Sequence, residues 1–442
     1  MLRLAKAALI NWKNKASRTP LLLLGARQTG KTYLLEEFGR DEFDAYHRFD
    51  FVEEPQLLKL FEEDLSPEKI LRELSIYRDK NISPQRELIV FDEIQECPRA
   101  LTSLKYFAEK MPDVFVAASG SLLGVGFGDA LFPVGKIQRL NLYPMSFMEF
   151  LYGTDQHRLA DTIKQATPQT PISELIHEKL WDQLKTYFVV GGLPGMINVY
   201  KEYSANLRLA FTEVRRAQAT LIKDYLFDIS KHSGKIKAVK IEAVFNRIPI
   251  NLARETTGNK KFVFKDVLPN ASRYSSLEGP IEWLIKAGLI HKIVICKDAA
   301  LPLAAAANGN QFKLYMFDVG LLGAMIGLAP ATVYSYDYGT YKGYFAENYV
   351  LQELIAQYDS AFFSWSRNTS EVEFLWEREG KIVPIEVKAS VNTKAKSLGV
   401  YQARYNPEKT VLLSGRPMPH SQENVRLQLP LYLASRLDKF VA

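Results

Sequence analysis

Leu21-Leu22-Leu23-Leu24-Gly25-Ala26-Arg27-Gln28-Thr29-Gly30-Lys31-Thr32-Tyr33 decides the reading of this chain. An apolar run leads into G-x-x-x-x-G-K-T, and an amphipathic segment from Lys31 to Phe38 follows. A short buried strand, a glycine loop and a helix N-terminus in that order make an anion site. Backbone N–H groups point inward and the helix dipole favours negative charge. The glycines let the backbone turn tightly against phosphates. Lys31 can reach the β- and γ-phosphates, and Thr32 can place its hydroxyl on Mg²⁺. The expected nucleotide-binding residues of the loop are therefore Gly25, Gln28, Thr29, Gly30, Lys31, Thr32 and Tyr33, with ATP and Mg²⁺ as cofactors.

Working outward, His47-Arg-Phe-Asp50-Phe is a strand-like run, and a polar helical stretch follows it. Glu87-Leu-Ile-Val-Phe-Asp92-Glu93 then reads as a buried parallel strand with two acids at its carboxyl end. Open α/β sheets bind ligands at that edge. Asp92 suits holding Mg²⁺ through water, so Thr32 and Asp92 are the expected metal residues. Glu93 suits orienting and deprotonating an attacking water, which makes it the expected catalytic residue. The candidate strand at 46–51 falls between loop and acids, a spacing that resembles the additional-strand, catalytic-glutamate branch of P-loop ATPases.

After a helical stretch from Arg99 to Lys110 comes Val114-Phe-Val-Ala-Ala-Ser119-Gly120-Ser121, another apolar strand ending in small polar residues. A fifth strand is expected around Lys136–Leu142. Pro144-Met-Ser-Phe-Met-Glu149-Phe150 then starts a helix or turn. With these residues the chain resembles a large prokaryotic family of AAA-type ATPases that carry a second C-terminal domain. In such ATPases the 114–121 strand would be the one whose polar residue watches the γ-phosphate. That makes Ser119 a candidate nucleotide-sensing residue, although a plain Ser-Gly turn explains it equally well. Members often carry Gly-Arg before the fifth strand. This chain has Gly135-Lys136 there, with Arg139 nearby.

Residues 150–235 read as helical. They include Ala210–Ile222 with Arg215 and Arg216, and the Gly/Pro turn Gly191-Gly192-Leu-Pro194-Gly195. The family shows a similar segment, read here as a helical lid or interdomain turn. No lysine follows at the spacing of a second phosphate site. Between 236 and 297 the expectation is helix at Val239–Arg247, a turn starting at Asn251, helix at Ala271–Lys286 and a strand at Ile290–Ile295. That order is the pattern of a winged helix, whose basic face would hold Lys260, Lys261, Lys265 and Arg273. A helical connector with a solvated face accounts for it equally well.

The last third carries its own constellation. Tyr344–Leu354 reads as an amphipathic helix containing Glu347. Strands are expected at Ala361–Arg367, at Glu371–Trp376 with Glu373, and at Ile382–Lys388 with Glu386-x-Lys388. This α-β-β-β order with those acids resembles the restriction-endonuclease-like PD-(D/E)xK core. Two carboxylates at strand ends can share Mg²⁺. A lysine two residues on lies on the same strand face and can activate water. The resemblance makes Glu347, Glu373, Glu386 and Lys388 a candidate second metal site; E-x-K on a strand is also a common chance pattern, and the same scaffold can serve as a binding or docking module. The middle acid is usually aspartate and is Glu373 here.

The fold class expected is α/β: an N-terminal P-loop parallel sheet (1–150), a helical lid or connector (151–235), a winged-helix-like piece (236–300) and a restriction-endonuclease-like C-terminal domain (301–442). Hydrophobic content of 47% and charged content of 24% fit a globular protein. A net charge of +6 permits DNA as a partner without requiring it. Cys97 and Cys296 are too few for a disulfide framework or a cysteine zinc site and fit a cytoplasmic location. The N-terminus lacks signal-peptide architecture, and no run of about eighteen apolar residues occurs, so no membrane span is expected. A homo-oligomer is compatible with the sequence and not required by it. Three functions follow: an ATP-hydrolysing switch coupled to the C-terminal domain, a Mg²⁺-dependent DNA nuclease regulated by ATP, or a non-catalytic nucleotide sensor that recruits a protein or DNA partner.

Overall fold

The computed structural model describes residues 1–121, 133–254, 262–264, 267–268, 274–339, 341–391, 395–419 and 425–441. Lys260, Lys261, Lys265 and Arg273, the expected basic face, lie outside the described residues. The chain divides into two compact units. One comprises residues 2–143 with 286–288, and the other comprises Met1, 144–285 and 289–442.

The N-terminal unit is built on β1 (Leu21–Gly25), β2 (Tyr46–Asp50), β3 (Leu88–Asp92), β4 (Phe115–Ser121) and β5 (Gln138–Asn141). All are parallel, in the spatial order β2-β3-β4-β1-β5. Strands buried on both faces read as continuous apolar runs, and β1 (LLLLG) and β3 (LIVFD) are buried throughout. Leu21, Leu23, Leu88 and Val90 pack with α1 (Lys6–Lys13) and α2 (Lys31–Glu42) on one face. Leu22, Leu24, Ile89 and Phe91 pack with α3 (Pro67–Tyr77) and α4 (Pro98–Lys110) on the other. The strand that separates β1 from β3 in space is β4, not the 46–51 segment that separates them in sequence. Six of the seven β4 residues are buried, as a central strand requires. By contrast, β2 begins with three half-buried residues and forms the sheet edge.

The second unit opens with α5 (Phe147–Gly153), α6 (His157–Gln165), α7 (Glu174–Val190), α8 (Pro194–Tyr203), α9 (Leu207–Ser233), α10 (Lys235–Arg254) and α11 (Tyr274–Lys286). Ser146 and Glu149 form a capping box that starts α5. Asn251 does not open a turn. It lies inside α10, buried, and its Nδ2 donates to the Val263 carbonyl at 3.1 Å. Then follow β6 (Ile290–Cys296), α12 (Leu303–Ala306), β7 (Ala307–Met316), α13 (Val319–Met325), α14 (Pro330–Tyr334), α15 (Tyr341–Gln357), β8 (Phe362–Arg367), β9 (Ser370–Arg378), β10 (Lys381–Val387), α16 (Lys396–Tyr405), β11 (Thr410–Ser414) and β12 (Arg426–Pro430). The seven strands form one mixed sheet, ordered β12-β11-β10-β9-β8-β6-β7. β6 runs antiparallel to β7 and parallel to β8. The strand expected in a small winged-helix-like piece is therefore an inner strand of the large sheet.

Two features of this unit depart from the sequence pattern. Every residue of α15 from Tyr344 to Leu354 is buried, so the helix is not amphipathic. Its polar side chains satisfy backbone groups of neighbouring elements instead, as buried polar groups must. Asn348 accepts from the Met316 amide (2.8 Å) and donates to the Met316 carbonyl (3.0 Å). Gln352 accepts from the Val319 amide (3.0 Å) and donates to the Tyr187 hydroxyl (2.7 Å). Glu353 accepts from the Phe147 amide (2.7 Å). The second feature is the Gly191-Gly192 turn, which is internal to this unit. Gly191 has φ +78°, and a Cβ there would lie 2.3 Å from an Asp318 carboxylate oxygen. The Gly192 amide donates to Asp318 at 2.7 Å.

Candidate functional site

The loop between β1 and α2 takes its shape from two left-handed residues and one close approach. Gln28 has φ +63° and Gly30 has φ +88°. A Cβ on Gly25 would lie 2.4 Å from the Leu142 carbonyl oxygen, so only glycine lets the segment after β5 pass against the loop. The Thr29 hydroxyl donates to the Ala26 carbonyl at 2.9 Å. Lys31 opens α2 and is buried. Its ammonium donates to the carbonyls of Gly25 (3.2 Å) and Ala26 (3.0 Å). Burial lowers the Lys31 pKa, against the opposing charges of Glu93 and Asp92 and with help from Arg27. The lysine is thus within electrostatic reach of both acids of the β3 end. Thr32 is half-buried in the first turn of α2, and Tyr33 beside it is exposed.

Asp92 ends β3, is 1% exposed, and is held on both oxygens. One accepts from the Ser119 hydroxyl and from the Glu93 amide (3.1 Å). The other accepts from the Arg48 Nε at 2.8 Å. The expected Ser119 therefore does reach the acidic strand from β4. Glu93 sits just beyond the strand at φ +51°, a left-handed conformation that is uncommon for a side-chain-bearing residue and recurs at functional sites. Its carboxylate accepts from Gln95 Nε2, while Gln95 Oε1 accepts from the Ser121 amide at 3.2 Å. Gln95 so ties the candidate base to the end of β4. Lys136 pairs with Glu109 at 3.2 Å, and Arg139 lies exposed on β5.

Three residues of this site escape sequence reading. Arg3 is buried and donates to the Thr29 carbonyl and to the Tyr143 carbonyl, both at 2.7 Å. Nothing in the sequence links it to a loop more than twenty positions away. Arg48 and Gln95 do leave a local signal. Arg48 stands two residues before Asp50 on one strand face, and Gln95 stands two residues after Glu93.

The donor set fits a small hard cation. Thr32 offers a hydroxyl and Asp92 a carboxylate, the oxygen ligands Mg²⁺ takes directly or through its waters. The C-terminal acids differ. Glu347 on α15 and Glu373 on β9 are both buried, but the cation beside them is the ammonium of Lys313, itself 1% exposed. Lys313 pairs with Glu371 and lies 3.8 Å from Glu347. Burial pulls its pKa down, and the charges of Glu371, Glu347 and Glu373 more than reverse that, so it stays protonated. Glu373 accepts from the Val387 amide at 3.0 Å, and Glu386 pairs with Lys388 at 2.5 Å. Among the described residues no three His, Cys, Asp or Glu side chains are arranged to hold a metal ion.

Comparison with known proteins agrees with this geometry at the N-terminus. Residues 17–151 match the profile of an AAA domain. Residues 182–332 and 342–432 match two domains of unknown function, DUF8612 and DUF4143. The chain thus carries an AAA-type P-loop ATPase domain, and hence an ATP-binding one, followed by two domains without assigned roles. No curated protein matches the sequence. Among solved structures it resembles a Walker-type ATPase of Pyrococcus abyssi (16% identity, 73% of this chain and 94% of that one, TM-score 0.42). It also resembles Aeropyrum pernix ORC1 in complex with DNA (14%, 76% and 93%, 0.28) and AMPPCP-bound DnaA from Aquifex aeolicus (14%, 64% and 86%, 0.28). Among the described residues no helix is long and apolar enough to cross a membrane.

Proposed function

We propose that the chain is a Mg²⁺-dependent ATP hydrolase acting as a nucleotide-driven switch. The observation that carries this reading is the convergence of Lys31, Asp92, Glu93 and Ser119 at the carboxyl ends of adjoining parallel strands. Lys31 and the loop amides bind the phosphates and neutralise charge that develops on the transferred group. Thr32 and Asp92 would hold Mg²⁺, which would supply positive charge to the phosphates. Glu93, kept in place through Gln95, accepts a proton from the attacking water. Ser119 stands beside Asp92 where a polar group can sense the γ-phosphate. Equilibrium binding of ATP tests the reading: Lys31→Ala abolishes binding if it holds, and unchanged binding refutes it.

A nuclease function for the C-terminal unit has one supporting observation, the helix–strand–strand–strand order of α15 and β8–β10. Lys313 among the carboxylates argues against a metal there, so the unit is better read as a docking or recognition module. DNA is a partner to test by ATP turnover with and without duplex at several salt concentrations, because phosphate contacts weaken steeply with salt.

A further inference from the structure

The register of the N-terminal sheet sets two acids side by side. Asp50 on β2 pairs directly with Asp92 on β3, and both are nearly fully buried. Adjacent buried carboxylates cannot both stay ionised cheaply without a cation between them. Arg48, two positions before Asp50, projects to the same face and supplies one. Its Nε donates to Asp92 at 2.8 Å and its terminal NH2 group donates to Asp50. The remaining NH1 faces Glu53 at 3.5 Å and Glu36 of α2 at 4.0 Å. From below, Arg78 fixes the backbone by donating to the Arg48 carbonyl at 2.7 Å. Asp50 is itself anchored, accepting from the amides of Val52 and Glu53 at 2.8 and 2.9 Å.

We propose that Arg48 is a positioning residue that competes with Mg²⁺ for Asp92, and so sets how strongly the metal tightens nucleotide binding. The inference rests on the nucleotide site described above and adds a regulator to it. Asp92 has two oxygens. The Ser119 hydroxyl and Glu93 amide occupy one, and the guanidinium occupies the other, which a metal-bound water would have to share. A guanidinium and a hydrated dication repel each other and seek the same acceptor. Binding of Mg²⁺ therefore loosens the Arg48–Asp92 bond. The freed guanidinium keeps Asp50, with Glu36 and Glu53 in reach, so its displacement leaves no unpaired charge. Metal arrival at Asp92 is thereby transmitted to the edge strand β2 and to α2.

The test is the ratio of dissociation constants for a fluorescent non-hydrolysable ATP analogue measured in EDTA and in saturating Mg²⁺, on the full chain. Arg48→Gln raises that ratio about tenfold, the scale of one charge-assisted hydrogen bond. Asp50→Asn, which leaves Asp92 the main claim on the guanidinium, lowers the ratio. Arg48→Lys, charged but unable to span both acids, falls between wild type and Arg48→Gln. Arg72→Gln removes an exposed positive charge of α3 that pairs with Glu73 and touches neither Arg48 nor Asp92, and leaves the ratio unchanged. An unchanged or lower ratio in Arg48→Gln overturns the proposal, as does an equal rise in Arg72→Gln. Circular dichroism and thermal unfolding of each variant show that it folds. Failure of the wild type to bind the analogue under either condition would instead remove the nucleotide site, and this inference with it.

Discussion

Arg3 donates to the Thr29 carbonyl at 2.7 Å, and so clamps the phosphate loop from a segment outside the loop motif. The same guanidinium holds the Tyr143 carbonyl through its second terminal nitrogen, a fork that the single nitrogen of a lysine does not reproduce. Two charge-assisted bonds to buried carbonyls are each worth about 1.5–3 kcal/mol. Arg3→Ala is expected to weaken ATP binding by about tenfold and to lower the melting temperature. Arg3→Lys should recover only part of either. Isothermal titration and thermal unfolding measure both, and wild-type affinity in Arg3→Ala would show that the loop holds its shape without this clamp.

Lys313 is the resident cation of the C-terminal acid cluster. Lys313→Met takes the neighbouring cation from buried Glu347 and half-buried Glu371 and should destabilise the protein by about 3–5 kcal/mol. Adding Glu371→Gln to Lys313→Met should recover part of that loss, because it removes one of the stranded charges. Denaturant unfolding of the two single variants and the double variant reads the coupling. Strictly additive losses would mean that the pair does not interact.

Burial raises the Glu353 pKa to about 8, opposed by the Phe147 amide and the Ser435 hydroxyl, and that of Asp318 to about 6, opposed by the amides of Gly192, Gly320 and Leu321. A carboxyl held above its unfolded value binds its proton more tightly in the folded state. Its stabilising share is complete below the unfolded value of 4.5 and is lost as pH rises through about 8. Stability should therefore fall between pH 5 and 8.5, by a few kcal/mol at most from Glu353. Glu353→Gln should flatten that slope. Parallel pH profiles of wild type and variant would exclude the effect.

Gly191→Ala would force a Cβ into the Asp318 carboxylate at a residue with φ +78°. The expected cost is at least about 3 kcal/mol, from strain and the loss of the Asp318–Gly192 bond. Gly279→Ala, where a Cβ meets nothing within 4 Å, should change stability little. Thermal unfolding distinguishes the two, and equal melting temperatures would contradict this packing.

What was legible in the sequence was what local chemistry specifies. The β1 run, the loop glycines, Lys31 and the Asp92-Glu93 strand end announce themselves by pattern, because each residue type is required where it stands. Spatial order was less legible. Which strand lies between β1 and β3 depends on pairing, and the Ser-Gly end of β4 carries no label for its neighbour. α15 read as amphipathic because Asn348, Gln352 and Glu353 are polar. Their partners, at Met316, Val319 and Phe147, are distant in sequence. The acids of the last third matched a metal-binding pattern for the same reason. Lys313, on β7, lies outside the motif and supplies the charge a metal would.

Glu93, the acid beyond β3 whose carboxylate Gln95 holds, is the proposed general base. Single-turnover phosphate release with saturating Mg²⁺·ATP tests it most directly. Glu93→Gln is expected to bind ATP within a few-fold of wild type and to release phosphate at least about 100-fold more slowly, the scale of lost general-base catalysis. Wild-type phosphate release by Glu93→Gln would contradict the account.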